Sequence, residues 1–299
     1  MVKKNNLFIS KYHYIPCIAE YTRYLNLDKS KHTLRMYLTS IERFFDFMKV
    51  ETTESISKII SGNIREYQFK LKDDGLQSSS INAHIRALKA LFSWLLENEY
   101  INENPFGKVR NMKEPKKSLS YLSEEEVTQM FTGCKNIEEK TILALFLSLG
   151  LRRSELVDLK VNDIKDYQVN IVGKGSKYRS LYLQDDVYKL LNEFLSVRKH
   201  QDFEYVFRSK MGNKYTTEAI RQKIKSIAGR AGIEEERIED ITPHTLRRTA
   251  ATNLVEGGTD IRVIQGVLGH SALSTTMRYA NLRNSAVEKA MRGQKQLIL

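Results

Sequence analysis

His244 and Arg247 stand three residues apart, and on a helix that spacing puts an imidazole and a guanidinium on one face. Downstream, His270 closes a hydrophobic run from Ile261 to Gly269, and Tyr279 follows nine residues later. An arginine grips phosphate through two parallel N–H donors, an imidazole can donate to an oxyanion, and a phenol can form an ester with phosphorus. Together these residue types predict a site that holds a phosphate beside a tyrosine nucleophile. Taken singly they say little: most histidines are structural, and Tyr279 is one of 15 tyrosines.

Two upstream patterns add to the set. In Gly150-Leu151-Arg152-Arg153-Ser154-Glu155-Leu156, Glu155 lies three residues past Arg152, placed to orient its guanidinium. Gly173-Lys174-Gly175-Ser176-Lys177 sits between two alternating runs, Gln168 to Gly173 and Tyr178 to Leu183, which reads as a β-hairpin. Its Gly-Lys-Gly is no Walker A loop, which needs G-x-x-x-x-G-K-S/T.

In this order the motifs resemble the tyrosine recombinases, the phage integrase and Xer family. That family carries G-L-R-x-S-E-L, a hairpin lysine, H-x-x-R, L-G-H and then the nucleophilic tyrosine. The resemblance spans roughly residues 11–290. It implies a catalytic set of Arg152, Lys174, His244, Arg247, His270 and Tyr279, with Glu155 in support. It also implies metal-free and ATP-free DNA strand breaking and rejoining through a 3′-phosphotyrosine, with no cofactor. Lys174 is expected in the DNA groove beside the scissile phosphate, and Lys177 and Arg179 as phosphate neighbours. Arg153 departs from the family's apolar or small residue, and Arg248 and Ala250 depart from its common H-x-L-R-H-T-F, leaving the subgroup open. Two alternatives stay open at this point: a type IB topoisomerase, which relaxes DNA as a monomer, and a catalytically silent DNA-binding module on the same fold.

Composition fits a polyanionic partner. The 299 residues carry 48 Lys and Arg against 36 Asp and Glu, a net charge of +12, with the excess split evenly about Lys113. Two basic halves suit two domains that grip a polyanion together and favour nucleic acid, which the resemblance implies is double-stranded DNA. Only two cysteines occur, Cys17 and Cys134, with no Cys-x-x-Cys and no His-rich cluster, so neither a zinc site nor a disulfide framework is indicated. No apolar leader and no stretch of about 18 uncharged apolar residues is present, which predicts a cytoplasmic protein without membrane contact.

The positioning elements are predominantly helical. After a lead at 1–10, residues 11–107 are expected to form a four-helix domain, which the resemblance implies is a SAM-like core DNA-binding domain. Leu34, Tyr37, Leu38, Ile41, Phe44, Phe45 and Met48 trace one apolar helix face, and Ile64, Tyr67 and Leu71 another. Ser78 to Ser80 cap a further helix with Ile81, Ile85, Leu88, Leu91, Phe92 and Leu95 inward. Its opposite face, with Asn82, Arg86, Lys89 and Ser93, is the candidate for lying against DNA. The aromatic pairs Phe44/Phe45 and Phe92/Trp94 read as core and not as base-stacking platforms. Residues 108–117, basic and containing Pro115, read as an interdomain linker.

Residues 118–299 read as the catalytic domain, making the whole mainly α with a small β-sheet (α+β). Ser123 and Glu126 form a capping box ahead of helices near 124–132 and 138–149. Tyr205 to Arg208 reads as a short strand. Thr217 is expected to cap a basic helix bearing Arg221, Lys223, Lys225 and Arg230, of which Arg221 is a DNA-contact candidate. A tail helix at about 284–293 carries Ala286, Val287, Ala290 and Met291 on one side. By the resemblance, such tails are exchanged between subunits of a homo- or hetero-tetramer on synapsed DNA.

Overall fold

The computed structural model of the chain describes residues 8–114, 120–173, 178–199, 201–209, 211–270 and 272–280. It divides into two compact units, Met1–Lys117 and Ser118–Leu299. The tail at about 284–293, Pro115 to Lys117 of the expected linker, and the hairpin residues Lys174 and Lys177 lie outside the described residues.

In the first unit the described helices are α1 (Pro16–Asp28), α2 (Lys31–Met48), α3 (Thr53–Ser57), α4 (Ser61–Asp73) and α5 (Ser78–Glu97). The sequence predicts four; α3 is the addition, because five residues are too few to show helical periodicity. Ser30 starts α2 by accepting from the Thr33 N–H at 3.3 Å. Ahead of α5 the capping position is Gln77, one residue before the expected serines, and its side chain makes no capping bond. α2 packs along α5, and Phe44, Phe45, Tyr67 and Phe92 are fully buried between the helices. The rings of Phe44 and Tyr67 meet edge-on with centroids 5.0 Å apart, so these aromatics are core and not a platform for bases.

The outward face of α5 differs from expectation. Residues 105–114 do not leave the unit but run back along α4 and α5, fastened by side chains to their backbone. Asn82 is buried; its Oδ1 accepts from Met112 N at 2.8 Å, and its Nδ2 donates to Met112 O at 3.0 Å and to Glu114 Oε1 at 2.8 Å. Lys89 donates to Val109 O at 3.0 Å, Gln68 to Arg110 O at 3.1 Å and Ser61 to Pro105 O at 2.9 Å. Val109 joins the core and Met112 packs on it. Lys89, expected as a DNA contact, clamps this strap in the structure, while Arg86 stays exposed on the same helix. The first part of the expected linker belongs to the N-terminal unit.

The second unit runs α6 (Glu124–Thr132), α7 (Ile137–Leu149), α8 (Arg153–Asp158), β1 (Ile164–Lys165), β2 (Gln168–Val172), β3 (Tyr178–Tyr182), α9 (Asp185–Val197), α10 (Thr217–Arg230), α11 (Glu235–Ile238), α12 (Pro243–Glu256), α13 (Ile261–Leu268) and α14 (Leu273–Ala280). α7 is its central post. Apolar almost all round, it packs against α12 and α9, and Ile142, Leu143, Leu145 and Phe146 are fully buried. Ser123 and Glu126 make the reciprocal capping box at the start of α6, with bonds of 3.1 and 2.8 Å.

The strands form one antiparallel sheet in the order β1-β2-β3, with Val172 opposite Tyr178 across the hairpin. Val169, Ile171 and Leu181 point from it into the core. Tyr205 makes only an isolated bridge to Lys160, so the strand expected at Tyr205 to Arg208 is absent. The chain is thus mainly helical with a small sheet, in agreement with the sequence reading. No described helix is long and apolar enough to cross a membrane.

The strap generates a prediction. Asn82→Ala leaves the Met112 amide and carbonyl without their partner, at a cost of about 1–3 kcal/mol. Denaturant unfolding should show that loss, and limited trypsin digestion should cut faster at Lys108, Arg110 and Lys113, which are exposed but backed by the docked strap. Unchanged digestion would mean that the strap holds without Asn82.

Candidate active site

The catalytic candidates arrive from helix ends. α12 begins with Thr242 capping Thr245 N at 3.3 Å and Pro243 in its first turn, which places His244 and Arg247 in the opening two turns. α7 ends at Gly150 with φ 58°, and α13 ends at Gly269 with φ 62°, both left-handed conformations that glycine adopts without strain. At Gly150 a side chain is excluded twice over, since a Cβ there would come within 2.8 Å of Leu268 Cδ2.

The C-terminus of α13 organises the cations. A helix leaves its last carbonyls without intrahelical partners, at the negative end of its dipole. Here three successive carbonyls each take a different arginine. Val267 O accepts from Arg179 Nε at 2.9 Å, Leu268 O from Arg247 Nη2 at 2.6 Å, and Gly269 O from Arg152 Nη2 at 2.6 Å. Arg247 also donates to Gly150 O at 2.6 Å.

Glu155 is the anionic counterpart. Its buried carboxylate accepts from Arg152 Nη1 at 2.7 Å and the Arg152 amide at 2.7 Å, and from Arg179 Nη1 and Nη2 at 2.9 and 2.8 Å. Arg247 Nη1 stands 3.9 Å away. Burial alone would raise the Glu155 pKa, but the bonds from Arg179 and Arg152 outweigh it and hold the group below the ordinary carboxylate value.

A cavity of about 560 Å³ opens beside this network, lined by Arg152, Arg153, Arg221, His244, Arg247 and His270 among others. Both histidines are held to a pKa of about 4, by burial first and then by neighbouring arginines: Arg248 and Arg247 for His244, Arg247 and Arg152 for His270. Burial, followed by the charge of Arg152, brings Arg247 down to about 10, so it keeps its charge at neutral pH. Three guanidiniums against one carboxylate leave two positive charges uncompensated. Among the described residues no group of three His, Cys, Asp or Glu could hold a metal ion.

Tyr279 is buried on α14, packed with Ala251, Val255, Ile264 and Leu268. Its ring lies nearly parallel to that of His270, centroids 6.4 Å apart with an angle of 13° between planes. His270 is fixed at its other edge, where Nδ1 lies 2.9 Å from Thr276 Oγ1.

The structure therefore gathers Arg152, Glu155, His244, Arg247, His270 and Tyr279 into one locality, while Lys174 and Lys177 lie outside the described residues. Arg221 lines the cavity, paired with Glu218 at 2.9 Å. Its neighbours on α10 are turned to internal work instead. Lys223 pairs with Glu138 at 2.9 Å, Arg230 with Glu139 at 2.6 Å, and Lys225 with Glu239. α10 is capped by Thr216, one residue before the expected Thr217.

Arg179 is expected as a phosphate neighbour; in the structure its guanidinium donates to Glu155 and Val267, which makes it a strut of the site. The strand alternation carried the signal, because Arg179 is two residues from Leu181 and so shares its core-facing side. Sequence reasoning also passed over Arg153, which lines the cavity, and Thr276, which shares a face of α14 with Tyr279.

The chain is similar to known proteins in both sequence and fold. Residues 120–285 match the phage integrase family, and residues 18–99 match the phage integrase N-terminal SAM-like domain. The chain is 32% identical to the tyrosine recombinase XerA of Pyrococcus horikoshii, over 91% of this chain and 93% of that protein. It is 28% identical to the tyrosine recombinase XerD of Oceanobacillus iheyensis, over 91% and 95%. The crystal structure of the XerH site-specific recombinase bound to palindromic difH substrate, a post-cleavage complex, shares the fold with a TM-score of 0.73 at 22% identity, covering 94% of this chain and 84% of that one.

The depressed histidines give a pH prediction. In the unfolded chain they protonate near the ordinary 6.5, whereas in the folded one they do so near 4. Between those values the unfolded state binds more protons, so their contribution favours unfolding as pH falls through that window and is absent at pH 7. In an NMR titration the rings of His244 and His270 should stay neutral from pH 8 to pH 6 and begin to protonate only as pH approaches 4. Protonation of either near 6.5 would contradict the burial described here.

Proposed function

The chain belongs to the phage integrase family, as a site-specific tyrosine recombinase that breaks and rejoins DNA, and on that footing we propose the roles of its residues. Tyr279 attacks a backbone phosphate, the P–O5′ bond breaks, and the products are a 3′-phosphotyrosine and a free 5′-hydroxyl. A 5′-hydroxyl from another duplex then attacks the ester, releasing Tyr279 and completing strand exchange. Because the ester conserves the bond, the reaction needs no ATP.

The observation that carries this reading is the convergence of Arg152, Arg247 and His270 on one cavity beside Tyr279. A phosphodiester brings one negative charge, and a second develops as the phenolate oxygen attacks. The two uncompensated positive charges of the arginine cluster match that state. Arg152 and Arg247 take the non-bridging oxygens, and neutral His270 adds a donor. His244, also neutral at pH 7, orients the phosphate and accepts the phenol proton. Its depression derives in part from Arg248 and Arg247, so an incoming anion relieves it and makes the imidazole a better base. Lys174 protonates the departing 5′-oxygen. Cationic side chains do the work that a metal would otherwise supply, so the reaction proceeds without one. Arg86, Lys177 and Arg221 contact flanking phosphates. The segment from about 284 to 293 docks into a neighbouring subunit of a tetramer on synapsed DNA.

The substrate for a test comes from a random-sequence duplex pool, by recovering whatever the wild-type chain captures covalently. On a nicked duplex carrying the recovered site, wild type should form the adduct equally in EDTA, and Tyr279→Phe should bind but form none. An adduct retained by Tyr279→Phe, or strict dependence on magnesium, would sink the assignment.

The role of Lys174 is separable from mere proximity. Lys174→Ala should slow cleavage, because an alkoxide is a poor leaving group. Sulfur in place of the bridging 5′-oxygen departs as a thiolate without a proton, so the mutant should cleave that substrate nearly as fast as wild type. Arg247→Ala should show no such rescue. Rescue of Lys177→Ala in place of Lys174→Ala would move the acid to the far side of the hairpin turn.

A further inference from the structure

His270 is pinned more tightly than a lone cavity-wall residue needs to be. Its amide donates to Gln265 O at 3.1 Å and its carbonyl accepts from Gln265 Nε2 at 3.1 Å, while Gly269 N donates to Gly266 O at 3.1 Å. These bonds form the cap that ends α13 and fix the backbone of His270. One ring edge is then taken by Thr276, whose Oγ1 lies 2.9 Å from Nδ1. Thr276 is fully buried, and it stands three residues before Tyr279 on the same face of α14.

An imidazole that is neutral has one protonated nitrogen, and the bond made by one nitrogen selects the state of the other. With Nδ1 occupied by Thr276, Nε2 is the nitrogen left for the cavity that the ring lines. A neutral ring can help an anionic phosphate only by presenting N–H to it. A hydroxyl can donate or accept, so it permits either tautomer until the ligand decides. The cavity's ligand is an anion, which requires the proton on Nε2 and makes Nδ1 the acceptor.

We propose that Thr276 is a positioning residue: its hydroxyl donates to Nδ1 of His270 and so holds the tautomer whose Nε2–H faces the phosphate. This rests on the reading of the cavity as a phosphate site. One helix then does two things on docking, since α14 brings in Tyr279 and sets the donor beside it through a residue one turn earlier. The alternative direction, Nδ1–H donating to Thr276, would turn a lone pair toward the phosphate and repel it.

The test reads the tautomer directly. In the full-length chain with ¹⁵N-labelled histidine, at neutral pH and without DNA, His270 should show a protonated Nε2 and an unprotonated Nδ1, its signals identified by their loss in His270→Gln. Thr276→Val, which keeps the shape and removes the hydroxyl, should give a mixture of tautomers, and Thr276→Ser should restore the single one. On the nicked duplex recovered by covalent capture, Thr276→Val should slow adduct formation about ten-fold at saturating DNA, the effect of roughly one misdirected hydrogen bond, with affinity unchanged. Thr276→Ser should stay within about two-fold of wild type. A wild-type His270 protonated at Nδ1 overturns the proposal, and so does slowing in Thr276→Val with the tautomer unaltered. If Thr276→Val does not fold, the wild-type spectrum and the serine variant still decide. A correct tautomer combined with full activity of His270→Gln would instead count against the phosphate role of His270.

Discussion

Three guanidiniums are crowded together around one carboxylate, and the second unit is built around holding them there. Two unit charges about 4 Å apart repel by roughly 4 kcal/mol at an effective dielectric constant near 20. The fold meets this repulsion with the carbonyls that the end of α13 cannot satisfy internally. Val267, Leu268 and Gly269 each take one arginine, and buried Glu155 bridges two of them while standing 3.9 Å from the third. Charge-assisted bonds of this kind contribute about 1.5–3 kcal/mol each. The compensation is deliberately incomplete in its result: one carboxylate against three cations leaves a positive site in which neutral histidines are the stable form.

That arrangement explains why the glycines stand where they do. Gly150 and Gly269 end their helices in a left-handed turn, and their carbonyls are thereby turned toward Arg247 and Arg152. The same short segment carries His270, so the spacing of Leu268-Gly269-His270 is dictated by carbonyl, turn and imidazole following one another without slack. Mutual dependence has a consequence for mutagenesis. Arg179 is joined to Arg152 through Glu155, so damage at one propagates to the other.

The N-terminal unit follows a different logic. Its aromatic core alone accounts for Phe44, Phe45, Tyr67 and Phe92, and no base-stacking role is needed for them. Its polar clamps address the chain's own backbone. Asn82, Lys89 and Gln68 satisfy groups of the returning strap that would otherwise lie against a helix surface without partners. A helix face that looks polar in sequence need not be wholly open; here Asn82 and Lys89 hold a segment of chain with the opposite hydrogen-bonding needs, while Arg86 stays exposed.

Much of this protein was legible in the residues. The apolar stripes located most of the helices, alternation on both sides of Gly173 located the hairpin, and the ordered motifs picked out the six side chains assigned to catalysis. Helix and strand periods are local properties, and chemical type is carried by each residue alone. What the sequence could not decide was which charges are free and which are spent. Arg179, Lys89, Lys223 and Arg230 look like DNA contacts in a basic chain, yet each is committed to a carboxylate or a carbonyl far away in sequence or across a turn. Only folding brings those partners near. The tertiary structure also placed Arg153 at the cavity beside Arg221, which is paired with Glu218, and gave Thr276 a partner that no spacing rule names.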